Sequence, residues 1–287
     1  MNLAEIRARL AGLNTKTNKR RDLWKPKDKH TIRCLAYPHG DEPFIELGFH
    51  YDIGDTRVVL CPRHTSGDDC VICEYADKLK NWNDENGVEK PEAVRRADFE
   101  IFKGLQCKER WYIPMVERGH EAEGPKFWAF GKSIYEQMLK MCLDEEMNSD
   151  VSHDGGSLVL TDPDCAYDIT VDFAQPNNKD GKGNDKSWPR TEIKEKKRPS
   201  KLSDKKADSD ALLEKVVNIS DVYPPSSSEE VEKIFNKFLG SHQEEVKETD
   251  ADVGTEYEPK SAEAPVVGGQ SIDDAFGDLV DDDSTEA

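Results

Sequence analysis

The chain has 287 residues, of which 36% are hydrophobic, and 40 Lys and Arg stand against 59 Asp and Glu, for a net charge of −19. This apolar share is below the roughly 45–50% of a fully globular chain, so we expect part of the chain to stay unpacked. No apolar run approaches the ~20 residues of a membrane span, and the start carries no apolar region typical of a signal peptide. We therefore expect neither a membrane protein nor a secreted one.

The charge is unevenly distributed along the chain. Residues 1–34 carry ten Lys and Arg against three acids, and residues 186–206 carry nine against three. Residues 241–287 reverse the sign, with fifteen acids and two lysines. Two basic segments and an acidic end favour a protein that binds a polyanion, with a tail that can compete for the same surface. A solvated surface with a disordered acidic tail is the plainer interpretation.

The first third of the chain predicts a helix followed by strands. Apolar residues at helical spacing predict a short amphipathic helix over 2–13, and 14–29 is basic and extended. Three β-rich segments come next, over 30–37, 44–53 and 56–61. The dipeptide Gly54-Asp55 predicts a hairpin turn between the last two.

The rest alternates between helices and strands before the acidic end. We predict helices over 73–81, 91–100, 132–143, 211–222 and 228–239. Strands are predicted over 106–116, 126–130, 157–160 and 166–173, with a loop over 176–187. After Gly240 the composition is acidic and poor in aromatics, which predicts disorder.

Cysteines cluster after the predicted hairpin. Cys70 and Cys73 form a CxxC pair, Cys61 lies nine residues earlier, and His64 lies between them. Thiolates and imidazole at such spacing are typical of tetrahedral zinc sites. His64 and His50 are both candidates for the fourth ligand, and spacing alone favours His64. A closed site of this kind predicts a structural zinc ion rather than a catalytic one.

Aromatic and basic residues alternate over two predicted strands, which suits single-stranded nucleic acid because bases stack on rings and cations follow the phosphates. The alternation also implies that about half of these rings face a core. The residues concerned are Lys103, Lys108, Arg110, Trp111 and Tyr112 in and before the first strand, and Lys126, Phe127, Trp128, Phe130 and Lys132 in and after the second.

Motifs typical of enzymes do not stand out. The segment ending in Gly131-Lys132-Ser133 resembles the end of a P-loop, but Lys126 stands where the first glycine would be. No GxSxG or HExxH motif occurs. We therefore expect a binding protein and not an enzyme.

The order of these parts resembles the single-stranded DNA-binding (helix-destabilising) protein of T-even bacteriophages and its relatives, over about residues 2–240. The most specific part is Cys61 with residues 69–74 (DCVICE), followed by residues 123–135 (EGPKFWAFGKSIY). Residues 212–220 (LLEKVVNIS) and 231–238 (VEKIFNKF) resemble the family's C-terminal helices. Residues 15–21 (TKTNKRR) are similar to its basic cooperativity segment.

This resemblance implies an α+β, mainly β fold: an OB-fold core over 30–240 with an inserted zinc subdomain over about 50–105 and flanking helices. It implies zinc ligands Cys61, Cys70, Cys73 and His50, reversing the preference for His64. It places DNA in a cleft, with the contact candidates Arg57, Lys103, Lys108, Arg110, Trp111, Tyr112, Trp128, Lys186, Trp188 and Arg190. It assigns the cooperative contacts between protomers to residues 1–29, with the candidates Lys16, Lys19, Arg20 and Arg21.

This resemblance therefore implies a cooperative, sequence-independent single-stranded DNA-binding protein for viral DNA replication, recombination and repair, in the cytoplasm of an infected bacterium. Its predicted partners are single-stranded DNA, neighbouring protomers, and replication and recombination proteins that bind the acidic tail, 241–287. Two alternatives stay open. One is a zinc-ribbon adaptor that binds proteins, and the other is a CxxC redox enzyme.

Overall fold

The computed structural model describes residues 23–151, 156–174 and 190–250, and of the side chains of 150, 151 and 241–250 nothing is described. The strands are β1 (Leu23–Trp24), β2 (Lys29–Cys34), β3 (Ile45–Ile53), β4 (Thr56–Leu60), β5 (Lys108–Glu117), β6 (Lys126–Phe130), β7 (Ile169–Ala174) and β8 (Arg190–Glu195). The helices are α1 (Pro62–Thr65), α2 (Val71–Leu79), α3 (Glu92–Leu105), α4 (Lys132–Leu143), α5 (Glu145–Val151), α6 (Leu158–Thr161), α7 (Lys206–Leu213), α8 (Ile219–Val222) and α9 (Ser228–Asp250).

Strands and helices thus mix along the chain, and the fold is mixed α/β. Strands lie in the order β1-β6-β5-β2-β7-β8, with β1 parallel to β6 and the other neighbours antiparallel. β3 and β4 form an antiparallel hairpin in which Ile53 pairs with Thr56, so the predicted turn at Gly54-Asp55 is confirmed. Gly54 has a φ of +58°, a conformation that glycine adopts without a steric penalty.

The described residues fall into two compact units. Unit 1 contains Arg110–Pro224 and the chain before Leu47. Unit 2 contains Leu47–Glu109 and the described chain from Pro225 onward. The predicted zinc subdomain therefore corresponds to most of unit 2, which in addition includes the C-terminal helix α9.

The core of unit 1 lies along β2, β5, β6 and β7. β5 is buried continuously from Trp111 to Val116, whereas β8 alternates between exposed and half-buried residues. A strand with both faces covered has an apolar run, and a strand with one face in solvent alternates. The core of unit 1 therefore explains why the aromatic strands at 106–116 and 126–130 are so rich in large side chains.

A buried charge network ties β2 to the later part of unit 1. Arg33 is fully buried, and its Nε donates to Asp168 Oδ1 over 2.9 Å. Arg118 donates to the same oxygen over 3.0 Å, and Ser200 Oγ donates to Asp168 Oδ2 over 3.0 Å. Burial lowers the pKa of Arg33, and Asp168 opposes that shift. The carboxylate thus holds two guanidinium groups in place, one from β2 and one from the turn that follows β5.

Three predicted elements are wrong in their type or their bounds. Residues 157–160, predicted as a strand, form the helix α6 with Val159 and Leu160 buried, because a short apolar run suits either structure. The predicted helix over 211–222 is two helices, separated where Asn218 caps Ser220 N. Helix α9 continues through Asp250, past Gly240 where disorder was predicted to begin.

Some predicted elements lie outside the described residues. They are the amphipathic helix over 2–13, most of the basic segment over 14–29, all of the loop over 176–187, and the acidic tail beyond Asp250. No helix among the described residues is long and apolar enough to cross a membrane.

Candidate metal centre and aromatic–basic face

Four buried donors converge in unit 2. The ligand atoms of His50, Cys61, Cys70 and Cys73 all lie within 4.8 Å of one another. His50 comes from β3, Cys61 directly precedes α1, and Cys70 is the N-cap residue of α2, with Cys73 in its first turn. The cluster could hold one metal ion, and its donor set matches a structural zinc site.

The distances between the donor atoms match a zinc tetrahedron. Zinc–sulfur and zinc–nitrogen bonds of about 2.3 and 2.05 Å require S···S and S···N edges of about 3.8 and 3.6 Å. The Sγ atoms of Cys61 and Cys73 are 3.5 Å apart. Nε2 of His50 lies 3.4 Å from the Sγ of Cys70 and 3.5 Å from that of Cys73. The residues therefore fit zinc.

A backbone carbonyl orients the histidine. Nδ1 of His50 lies 2.8 Å from the carbonyl oxygen of Leu105, at the end of α3. A carbonyl can only accept, so Nδ1 carries a proton and Nε2 is the ring nitrogen that faces the thiols. Such a second hydrogen bond is the usual support of a metal-binding imidazole.

The cluster attracts positive charge. Burial lowers the pKa of His50, but hydrogen bonds to Cys61 and Cys70 outweigh this effect and raise the pKa to about 9. Hydrogen bonds from Cys107, Cys70 and Cys73 lower the pKa of Cys61, which favours its thiolate. A divalent cation bound here would displace the proton that His50 retains beside the Cys61 thiolate, since metal binding releases protons from its ligands.

The structure decides between the two histidines. His64 lies on the exposed side of α1, where its Nδ1 is 3.2 Å from Glu109 Oε1. It is not part of the four-donor cluster. The preference for His64 from spacing was wrong because the hairpin of β3 and β4 brings His50 opposite Val59, close to Cys61 in space although not in sequence.

Helix α9 completes the support of the metal centre. Val231 and Phe235 are buried against the cluster that contains the three cysteines, and the rings of Tyr75 and Phe235 are 5.2 Å apart. Ser228 Oγ donates to the Asp69 carbonyl over 3.1 Å, one residue before Cys70. The segment that leads into the acidic tail is therefore docked beside the metal ligands.

Gly48 provides a packing test of this centre. A Cβ at Gly48 would lie 2.5 Å from the Cβ of His64 and 2.7 Å from the Sγ of Cys107. We expect Gly48→Ala to destabilise unit 2 by about 1–3 kcal/mol, because overpacking forces its neighbours to shift. The helical Gly104 has nothing within 4 Å of such a Cβ, so Gly104→Ala is the matched control. Urea denaturation followed by circular dichroism measures both; equal stability of the two variants would contradict the close packing.

The predicted DNA contacts fall into three groups. Trp111, Tyr112, Trp128 and Arg110 are buried, with 6, 1, 1 and 6% of their surface exposed. A ring inside the core offers no face to a base, so the predicted stacking by Trp111, Tyr112 and Trp128 is not compatible with this structure. Accessible contact candidates are Arg57, Lys103, Lys108 and Arg190, of which Lys108 is half-buried. Outside the described residues lie Lys186 and Trp188, together with the cooperativity candidates Lys16, Lys19, Arg20 and Arg21.

A different aromatic surface is open to solvent in unit 2. Trp82 and Phe99 are 62 and 48% exposed, and the half-buried Phe102 lies beside Phe99 with ring centroids 6.2 Å apart. Each ring has a cation over it: Arg95 at 5.0 Å from Trp82, Lys103 at 4.8 Å from Phe99, and Lys80 at 5.8 Å from Phe102. We call these six residues the aromatic–basic face.

The amphipathic pattern of α3 is a sequence signal for this face, although the sequence predicted the aromatic contacts on strands instead. Helix α3 is amphipathic, yet of its residues only Leu105 is buried. Its apolar residues Val94, Phe99 and Ile101 remain exposed. Trp82 is held by a small hairpin in which Asp84 Oδ1 accepts from the backbone of Asn86 and Val88, each over 2.8 Å. Phe99 lies one turn after Arg95, the residue over Trp82, so these exposed rings are grouped on one side of α3, and such a group indicates a binding surface.

The chain matches no protein-family model, and a search of curated proteins gives no match.

Proposed function

We propose that this protein is a cooperative, sequence-independent single-stranded DNA-binding protein that acts in viral DNA replication, recombination and repair inside an infected bacterium. It has no catalytic role in this proposal. The observation that carries the proposal is the aromatic–basic face, which combines exposed rings with cations on one unit.

The chemistry of this face suits unpaired bases. A base stacked on an aromatic ring contributes on the order of 1–3 kcal/mol whatever its identity, so such binding ignores sequence. In this proposal the cations over Trp82, Phe99 and Phe102 bind the phosphates that flank a stacked base. Arg95 and Lys103 would exchange their present partners, Glu89 at 2.7 Å and Glu100 at 3.3 Å, for those phosphates. Duplex DNA has no unstacked base faces, so the face favours single strands, and binding them lowers duplex stability by mass action.

The zinc centre has a structural role in this proposal. It joins β3 to the start of α2, and through Leu105 it also contacts the end of α3, the helix that carries Phe99 and Phe102. The proposal includes an OB-fold for unit 1, which is supported by the antiparallel order β6-β5-β2-β7-β8. The basic segment 1–29 would contact the neighbouring protomer, and the acidic tail would bind replication and recombination proteins.

Replacing Trp82 tests the proposal directly. We expect Trp82→Ala to weaken binding of oligo(dT) by about 1–3 kcal/mol, roughly 5- to 150-fold in Kd, because one stacking platform is lost. Fluorescence anisotropy of labelled oligo(dT), at two salt concentrations, is the measurement, and wild-type affinity should fall steeply with salt.

The matched control is Leu143→Ala, which removes an exposed apolar side chain of unit 1 that is 78% accessible. Its affinity should equal that of the wild type. Equal binding of oligo(dT) by Trp82→Ala and wild type would remove the face from the proposal. Oligo(rU) and a duplex of the same length, titrated in parallel, distinguish DNA from RNA and single strands from double strands.

A zinc-supported adaptor that binds proteins is the second candidate. The exposed apolar residues Val94 and Ile101 on α3 favour it, since an apolar helix face also suits a protein partner. The adaptor would bind zinc and leave oligo(dT) anisotropy unchanged at every salt concentration.

A further inference from the structure

Unit 2 contains a fifth candidate donor that the four-donor cluster leaves out. Cys107 lies between α3 and β5, is half-buried, and packs against the apolar cluster that holds the three cysteine ligands. Its Sγ lies 2.7 Å from the position that a Cβ would take at Gly48, and the Gly48 carbonyl accepts a hydrogen bond from Cys61 N over 2.8 Å, so the thiol stands beside the first cysteine ligand. Tetrahedral zinc accepts four ligands, so five donors compete for four positions.

His50 and Cys107 approach the same thiols. The His50 imidazole is hydrogen-bonded to Cys61, Cys70 and Cys73. Cys107 packs against the same cluster, which contains Cys61 and Cys73. Both donors also depend on the end of α3, because the Leu105 carbonyl orients His50 and Cys107 follows only two residues later. A small shift of this segment that withdraws the carbonyl from His50 would move Cys107 as well.

We propose that Cys107 is a reserve zinc ligand that takes the place of His50 and converts the site from three thiolates and one imidazole to four thiolates. In this exchange the bond from zinc to His50 Nε2 breaks, the Cys107 thiol releases its proton to water, and a bond from zinc to Cys107 Sγ forms. No electrons are transferred. Four thiolates are an established zinc set, so the exchanged state is chemically stable. The proposal concerns the metal alone and does not require DNA binding.

Cobalt substitution tests the exchange in three variants of the full chain. His50→Ala should still bind one Co²⁺, and its thiolate-to-cobalt absorption should rise by about one third because four thiolates replace three. Adding Cys107→Ser to His50→Ala should remove that rise and weaken binding at least about tenfold further. His64→Ala is the matched control and should keep the wild-type spectrum, since His64 lies outside the cluster.

A second measurement uses a variant that keeps all four ligands. We expect Cys107→Ser to release zinc to a chromogenic chelator about tenfold faster than the wild type, because no thiol recaptures the ion when His50 leaves. Cys165→Ser, which removes a half-buried thiol from unit 1, should release zinc at the wild-type rate. Equal rates for Cys107→Ser and wild type, or equal Co²⁺ affinities for His50→Ala with and without Cys107, would overturn the proposal.

Discussion

Replacing Cys70 by Ser, combined with Cys107→Ser so that no fifth donor can fill the vacated position, is expected to prevent zinc binding and unfold unit 2. Structural zinc contributes about 10–16 kcal/mol to folding in small zinc domains, more than the whole stability of most domains. Cys70 is 1% exposed and is packed with Ile72, Val231 and Phe235 in the core of unit 2. The loss of the metal therefore removes the link between the β3–β4 hairpin and α2, and with it the surface on which α9 is docked.

Zinc content and hydrogen exchange measure this effect. The double variant Cys70→Ser with Cys107→Ser should contain no zinc, and the amides of α2 and of the first turns of α9 should lose their protection, while those of β5 and β7 in unit 1 keep theirs. Chelation of the wild type should have the same effect and be reversed by added zinc. Cys165→Ser, the matched control, should keep its zinc. Protected α2 amides in a zinc-free sample would show that the metal is not structural.

Replacing Arg33 by Met is expected to destabilise unit 1 by about 3–5 kcal/mol. Removing one partner of a buried ion pair leaves the other charge uncompensated, and Asp168 has a side chain that is only 14% exposed. Arg118 continues to donate to Asp168, which places the loss toward the lower end of that range. Removal of the guanidinium also leaves the Ser200 hydroxyl without one of its donors.

Urea denaturation followed by tryptophan fluorescence measures the change, because Trp24, Trp111 and Trp128 are buried in unit 1 and report its unfolding. Arg190→Met is the matched control: Arg190 pairs with Glu192 at 3.2 Å, but its side chain is 79% exposed, so little stability should be lost. Equal urea midpoints for Arg33→Met and Arg190→Met would contradict the network.

The metal centre was the part of the site most accessible to sequence reasoning. The CxxC pair and Cys61 are close in sequence, so their spacing alone constrains their positions. The fourth ligand depends on strand pairing, and spacing favoured the wrong histidine; the resemblance to the phage family had indicated His50. Cys107 lies more than thirty residues after Cys73, so sequence spacing does not predict that it packs against the apolar cluster that contains the cysteine ligands.

The prediction of which aromatic residues are exposed was wrong, in contrast to the prediction of the cysteine donors. Trp111, Tyr112 and Trp128 alternate with charges in sequence, which favoured an exposed stacking surface, but both faces of their strands are covered and the rings are buried. No exposed surface is predicted from the sequence at Trp82 or Phe99, because a helix with an apolar face is usually packed against a core. Whether a given face is covered depends on its neighbours in space.

The sequence by itself determined the elements whose signals are local: the turn at Gly54-Asp55, the metal-binding character of the CxxC pair, and most helices and strands. Three other features depend on tertiary contacts: the position of His50 rather than His64 beside the cysteines, the burial of the aromatic residues in the strands, and the exposure of Trp82. The physical reason is that ligand geometry and burial depend on which segments meet in space. Residues far apart along the chain, such as Asp69 and Ser228, determine that meeting.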